Sequence, residues 1–157
     1  MKICIVSTVI DGKDSGIGNY VIGLLMGLIK FGHAEDIVLV HSQKCENPLY
    51  RIVQEEIIPF KSIGKHQMYF SAKHMNNVLE KNGCGLIHFP AFFKNEFGLY
   101  HATVPIVLTL PDIIPLMYPK YSTIKDYLTW GSLVRSEIRK VSHLITISEY
   151  SKSDLVK

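Results

Sequence analysis

Short apolar runs rich in β-branched residues alternate along the chain with segments of helical periodicity, and this alternation limits the fold more than any other feature. The first run, residues 2–8 (KICIVST), has the continuous apolar character of a parallel strand that is buried on both faces. Further strands are predicted at residues 36–41, 56–59, 85–89, 105–110 and 142–147. Strands that alternate with helices form βαβ units. The chain is therefore predicted to be an α/β domain of the Rossmann-like three-layer kind with a mostly parallel sheet.

Helices are predicted in the intervals between these strands. Residues 19–31 carry apolar side chains at helical spacing, and Gly32 is a suitable residue to end that helix. The same periodicity predicts helices over residues 65–81 and 122–140, and one that starts at Ser148. The segment between the first strand and the first helix is rich in glycine and aspartate, which predicts a loop.

Length and composition favour a single globular domain without covalent or metal cross-links. The chain has 157 residues, of which 47% are hydrophobic and 20% charged, close to ordinary globular usage. Its cysteines, Cys4, Cys45 and Cys84, are odd in number and widely spaced, so neither a disulfide framework nor a zinc site is predicted. No metal site and no cofactor are expected.

Charge and hydropathy restrict the partners and the location of the protein. The formal net charge is +3, and the chain lacks the Lys/Arg blocks of a dedicated nucleic-acid binder, so no nucleic-acid partner is expected. There is no apolar run of the ~18 residues that a membrane-spanning helix needs. A cytoplasmic location is expected, with at most peripheral contact with the inner face of the membrane.

The loop before the first predicted helix is a candidate binding site, because α/β sheets bind ligands beyond the carboxyl ends of their strands. Residues 14–19 (DSGIGN) would let the backbone approach a ligand and would offer free helix N–H groups to an anion. The loop does not fit a dinucleotide fingerprint, since Val21 stands where a third glycine is needed. It does not fit a phosphate loop either, because Asp14 follows Gly12-Lys13. A tight turn without a ligand remains the alternative.

Three other strand ends carry polar residues that suit chemistry. His88 (in IHFP) can donate a hydrogen bond to a sugar or phosphate, or can be a satisfied histidine at a strand end. Asp112 follows a buried strand, where a carboxylate must cap a turn, pair or bind. Ser148 and Glu149 begin the last helix, where capping is favoured over a role in binding.

These four segments occur in the order and at the spacing found in one enzyme family. They are SGIGNY at residues 15–20, LIHFP at 86–90, TLPDIIPLMYP at 109–119 and LITISEYSKSDL at 144–155. With them the chain resembles the N-terminal domain of a GT-B glycosyltransferase of family four, the retaining nucleotide-sugar-dependent enzymes.

The resemblance implies a domain organisation and an activity. Residues 1–157 would be the acceptor-side, Rossmann-like half of a GT-B fold, and the C-terminal nucleotide-sugar domain is absent from this chain. The whole enzyme would transfer a sugar from a nucleotide-sugar donor to a glycan or lipid-linked acceptor, and the 157-residue chain alone is expected to be inactive. The alternative is a stand-alone, non-catalytic α/β binding module. Retaining GT-B enzymes are not expected to need a metal.

The resemblance also assigns roles to residues. Family members commonly have His-Asp where this chain has Pro111-Asp112, and that histidine lies at the reaction centre. Here Asp112 and His88 are expected to be the catalytic residues, with His88 supplying the missing imidazole. The residues expected to bind substrate are Gly16, Ile17, Gly18, Asn19, Ser148 and Glu149.

Overall fold

A computed structural model describes residues 1–11, 15–59, 61–63, 67–69, 72–91, 101–111 and 138–156. The strands are β1 (Lys2–Val6), β2 (Ile37–His41), β3 (Gln54–Ile57), β4 (Lys61–Ile63), β5 (Gln67–Tyr69), β6 (Cys84–Phe89), β7 (Ile106–Leu110) and β8 (His143–Thr146). The α-helices are α1 (Gly16–Lys30), α2 (Ala72–Asn82) and α3 (Glu149–Val156). Short 3-10 helices span Thr8–Ile10, Ala34–Asp36 and Pro48–Arg51.

Six strands form one sheet in the order β3-β2-β1-β6-β7-β8, and every neighbouring pair is parallel. The remaining two strands, β4 and β5, pair antiparallel as a separate hairpin. The chain builds outward from β1 to β3 and then returns to the other side of β1 with β6. The strand order thus reverses between β1 and β6, and this reversal is the topological switch point at which such sheets bind ligands.

Helices cover both faces of the sheet, because the strand side chains alternate between two apolar clusters. Cys4 faces the cluster that contains Met75 of α2. Its neighbour Ile5 faces the cluster that contains Val21 and Leu25 of α1. All five of these side chains are buried. The prediction of a Rossmann-like three-layer α/β domain is therefore confirmed.

Two predicted helix boundaries are wrong. The first helix starts at Gly16 instead of residue 19, because Ser15 caps it: the Gly18 amide donates to Ser15 Oγ over 2.9 Å. The second helix starts at Ala72 instead of residue 65, since β5 occupies Gln67–Tyr69. Short apolar segments fit helix and strand periodicities about equally, so spacing alone did not separate them. The helix predicted over residues 122–140 lies almost wholly outside the described residues.

A polar network joins the last turn of α2 to β3. Glu56 accepts hydrogen bonds from Lys81 Nζ at 3.0 Å and from Asn82 Nδ2 at 3.0 Å. Burial by itself disfavours the charged form of Glu56, but the hydrogen bonds from Lys81 and Asn82 outweigh it and lower the pKa of this carboxyl. The network therefore stabilises the fold only while Glu56 is ionised.

We expect Glu56→Gln to lower the free energy of unfolding at pH 7 by on the order of 1 kcal/mol. A lowered pKa makes the contribution of Glu56 present above its unfolded value of about 4.5 and lost as the pH falls through the folded value. Urea melts at pH 7 and pH 3 measure this difference. An equal effect of the substitution at both pH values would contradict the assignment.

Candidate functional site

The N-terminus of α1 lies just after the carboxyl end of β1, beside the switch point. Its two glycines have different surroundings. A Cβ at Gly16 would meet nothing within 4 Å. A Cβ at Gly18 would lie 3.1 Å from both the Val9 carbonyl oxygen and Ser15 Oγ. Gly18 is thus required by close packing of the helix on the 3-10 turn Thr8–Ile10, and Gly16 leaves the first turn open.

A chain of polar side chains connects α1 with β6 and β7. Tyr20, in the second turn of α1, has its hydroxyl 3.2 Å from Thr109 Oγ1 of β7. The same Thr109 oxygen lies 2.9 Å from His88 Nε2 of β6. His88 pairs in register with Ile5 of β1, so it belongs to the strand on the far side of the switch point. The structure therefore places His88 and the start of α1 at the same end of the sheet, where the parallel strands have their carboxyl termini.

The imidazole of His88 is neutral near physiological pH. The residue is 6% exposed, and burial lowers its pKa to about 4. Among the described residues, Thr109 is the one hydrogen-bond partner of the ring, and it contacts Nε2. Nδ1 is left with no such partner in that part of the chain. A neutral imidazole can accept a hydrogen bond at one ring nitrogen and donate at the other, which suits a binding or catalytic role.

Ser148 and Glu149 lie at the carboxyl end of β8, two strands away from β6. Ser148 Oγ accepts a hydrogen bond from the Ser151 amide over 3.1 Å, which is the capping role favoured for it. Glu149 is exposed and lies 3.4 Å from Lys152 Nζ. Neither side chain contacts His88 or the first turn of α1, and their predicted binding role stays a prediction.

Asp112, the other expected catalytic residue, lies outside the described residues. Its neighbour Pro111 is described and follows β7 directly. The predicted binding residues Ile17 and Asn19 lie in the first turns of α1; the Asn19 amide donates to the Ser15 carbonyl over 2.9 Å.

Sequence reasoning missed a second polar cluster, centred on His41 at the end of β2. His41 is fully buried, with Nδ1 2.7 Å from Asp11 Oδ2 and Nε2 2.9 Å from Glu55 Oε1. The ring of Tyr50 stacks on it with centroids 4.1 Å apart. Ser7 Oγ lies 2.9 Å from the Tyr50 hydroxyl, which in turn donates to Asp11. A titratable residue that ends an otherwise apolar buried strand is the signal that was available in the sequence.

A cavity of about 310 Å³ opens between the end of β3 and α2, apart from both polar clusters. It is lined by Ile57, Ile58, Pro59, His74, Asn77 and Val78. Its walls are mostly apolar, and neither His88 nor His41 contributes to them. We therefore place the candidate functional site at the switch point and not in this cavity.

No group of three or more His, Cys, Asp or Glu side chains in the described ranges is arranged to hold a metal ion. Over the same ranges, no helix has the length and apolarity needed to cross a membrane.

Comparison with known proteins gave no family assignment: no protein-family model matches the chain, and no curated protein is significantly similar to it. The fold alone therefore gives the structural class of this protein, which is a Rossmann-like α/β domain. Its candidate site is the switch-point edge formed by the start of α1, His88 and Thr109.

Proposed function

We propose that this chain is the acceptor-binding domain of a retaining glycosyltransferase that uses a nucleotide-sugar donor. Two observations support the proposal: four sequence segments resemble those of the family, and the strands have the order of a Rossmann-like sheet. All four of those segments are described at least in part at the carboxyl end of the sheet: the start of α1, the end of β6, the end of β7 and the start of α3. The nucleotide-sugar domain that the resemblance implies would contribute most of the donor site.

The observation that supports the proposal most strongly is the chain of hydrogen bonds from Tyr20 through Thr109 to His88. It places a buried, neutral imidazole at the edge of the sheet that also holds the open N-terminus of α1. The pairing suits a ligand with both a hydroxyl group and a negative charge, such as a sugar and a diphosphate.

In this proposal, the described residues have different roles. Backbone N–H groups in the first turn of α1 stabilise the negative charge that develops on the leaving phosphate. His88 hydrogen-bonds to an acceptor hydroxyl through Nδ1 and orients it, while Thr109 contacts Nε2. Asp112 would assist as the second catalytic residue that the resemblance assigns.

The test uses the full-length gene product that contains residues 1–157. It is incubated with a panel of nucleotide sugars and glycan or lipid-linked acceptors, and nucleoside diphosphate release is measured. We expect His88→Gln to lower turnover by about 100-fold or more, in the range of a lost acid–base or orienting group. His33→Gln is the matched control, because His33 is exposed and pairs with Asp36 away from the site. Its turnover should equal that of the wild type.

Two outcomes would contradict the proposal. Saturable ligand binding without turnover for any donor would favour a stand-alone, non-catalytic binding module. Turnover that is equal in the His88 and His33 variants would place the reacting groups elsewhere in the protein.

A further inference from the structure

The cluster around His41 has a single consistent pattern of hydrogen bonds. Carboxylates only accept hydrogen bonds, so a ring nitrogen that faces one must carry a proton. His41 faces a carboxylate oxygen on each side, Asp11 at 2.7 Å and Glu55 at 2.9 Å. When both carboxyl groups are ionised, this geometry requires both ring nitrogens to donate, and the ring is then an imidazolium.

The same rule for donors and acceptors applies to the other hydrogen bonds of the cluster. Tyr50 donates its hydroxyl hydrogen bond to Asp11, so at the 2.9 Å contact the Tyr50 oxygen accepts from Ser7. The Val40 carbonyl oxygen, 3.3 Å from Ser7 Oγ, shares that one serine hydrogen. Burial and the Asp11 carboxylate raise the pKa of Tyr50, which keeps this donor protonated. Burial and Asp11 likewise raise the pKa of Cys45, the other titratable group beside Asp11. Asp11 thus accepts at both oxygens, and its position is fixed from two sides.

Asp11 ends the 3-10 turn Thr8–Ile10, on which α1 rests. Its amide donates to the Thr8 carbonyl. The Val9 carbonyl of the same turn is the backbone group that approaches Gly18 most closely. A displacement of Asp11 would therefore be passed through this turn to the first turn of α1.

We propose that His41 is a positioning residue, held doubly protonated between Asp11 and Glu55, that fixes the N-terminus of α1. The effect on a reaction rests on the proposed function, whereas the protonation and the positioning do not. The ring is fully buried, so it acts through Asp11 and the turn.

The first experiment is ¹⁵N NMR of the full-length protein with labelled histidine, with the His41 signals assigned by their absence in His41→Gln. We expect both ring nitrogens of His41 to show the shifts of protonated imidazolium at pH 7. Signals of a neutral tautomer, with one protonated and one bare nitrogen, would overturn the proposal. The protonation state is read from the wild-type spectrum, and the variant serves only to assign the signals.

The second experiment compares hydrogen exchange at residues 8–18 in Glu55→Gln and Glu56→Gln. These are adjacent residues of β3, but Glu55 pairs with His41 and Glu56 with Lys81. We expect exchange at the start of α1 to be about tenfold faster in Glu55→Gln than in Glu56→Gln, since the buried charged ring loses one of its two carboxylate partners and local opening is favoured. Equal exchange in the two variants would overturn the positioning role.

A kinetic measurement separates this inference from the proposed function. If the full-length protein transfers sugar, Glu55→Gln should raise the KM for the donor several-fold with little change in kcat, and Glu56→Gln should change neither. If no donor is turned over, the proposed function fails, and the NMR and exchange results still decide whether His41 positions α1.

Discussion

Replacement of Gly18 by valine should destabilise the domain by about 1–3 kcal/mol, the usual cost of forcing extra carbons into a packed contact. The Cβ alone would lie 3.1 Å from the Val9 carbonyl, a backbone group that cannot swing aside like a side chain. The first turn of α1 must then move away from the 3-10 turn. Urea denaturation gives the loss of stability, and hydrogen exchange at residues 8–18 locates it.

Gly16→Ala is the matched control, since it changes a glycine two residues away in the same turn. Nothing lies within 4 Å of a Cβ at Gly16, so no contact has to give. Alanine also restricts the unfolded chain, and the free energy of unfolding should be unchanged or raised by up to about 1 kcal/mol. Equal stabilities of the Gly18→Val and Gly16→Ala variants would show that the close approach at Gly18 is not needed.

The stability of the wild type should fall by about 3 kcal/mol between pH 6.5 and pH 4 because of His88 alone. Burial lowers the folded-state pKa of His88 from 6.5 to about 4, so the unfolded chain binds this proton first. The contribution is fully present above pH 6.5 and is lost as the pH falls towards the folded value. Urea melts at half-unit intervals of pH measure the slope.

His88→Gln isolates this contribution, because glutamine does not titrate and can still hydrogen-bond to Thr109. The difference in unfolding free energy between wild type and variant should shrink as the pH falls from 6.5 to 4. Carboxylates such as Glu56 affect both proteins equally and cancel in that difference. A difference that stays constant with pH would mean that His88 is not held neutral by burial.

The fold class was predictable from the sequence because buried parallel strands leave a strong local signature. The runs that became β1, β2 and β7 are apolar at four of their five positions, since helices cover both faces of the sheet. The hairpin of β4 and β5 has no comparable signature. Its strands are three residues each, and their pairing depends on a partner that periodicity along one segment cannot reveal.

The site was predictable only where its residues lie next to a strand end. His88 and the glycine segment are of this kind, and the structure places both at the switch-point edge. The His41 cluster contains residues from β2, β3 and the 3-10 helix Pro48–Arg51. It also contains Ser7 and Asp11, which flank the 3-10 turn Thr8–Ile10. Each of its side chains is ordinary in its local sequence. Only the parallel pairing of β1, β2 and β3 brings them within hydrogen-bond distance.

The strand order has a consequence for synthesis on the ribosome. β2 pairs early with β1 on one side and with β3 on the other, but the second edge of β1 waits for β6, whose register partners begin about 80 residues later in the chain. At roughly 5–20 residues per second, the interval between the end of β3 and the end of β6 lasts a few seconds. During that time the nascent chain presents an unpaired edge with no charged residue after Lys2, the kind of surface on which chaperones and neighbouring chains act.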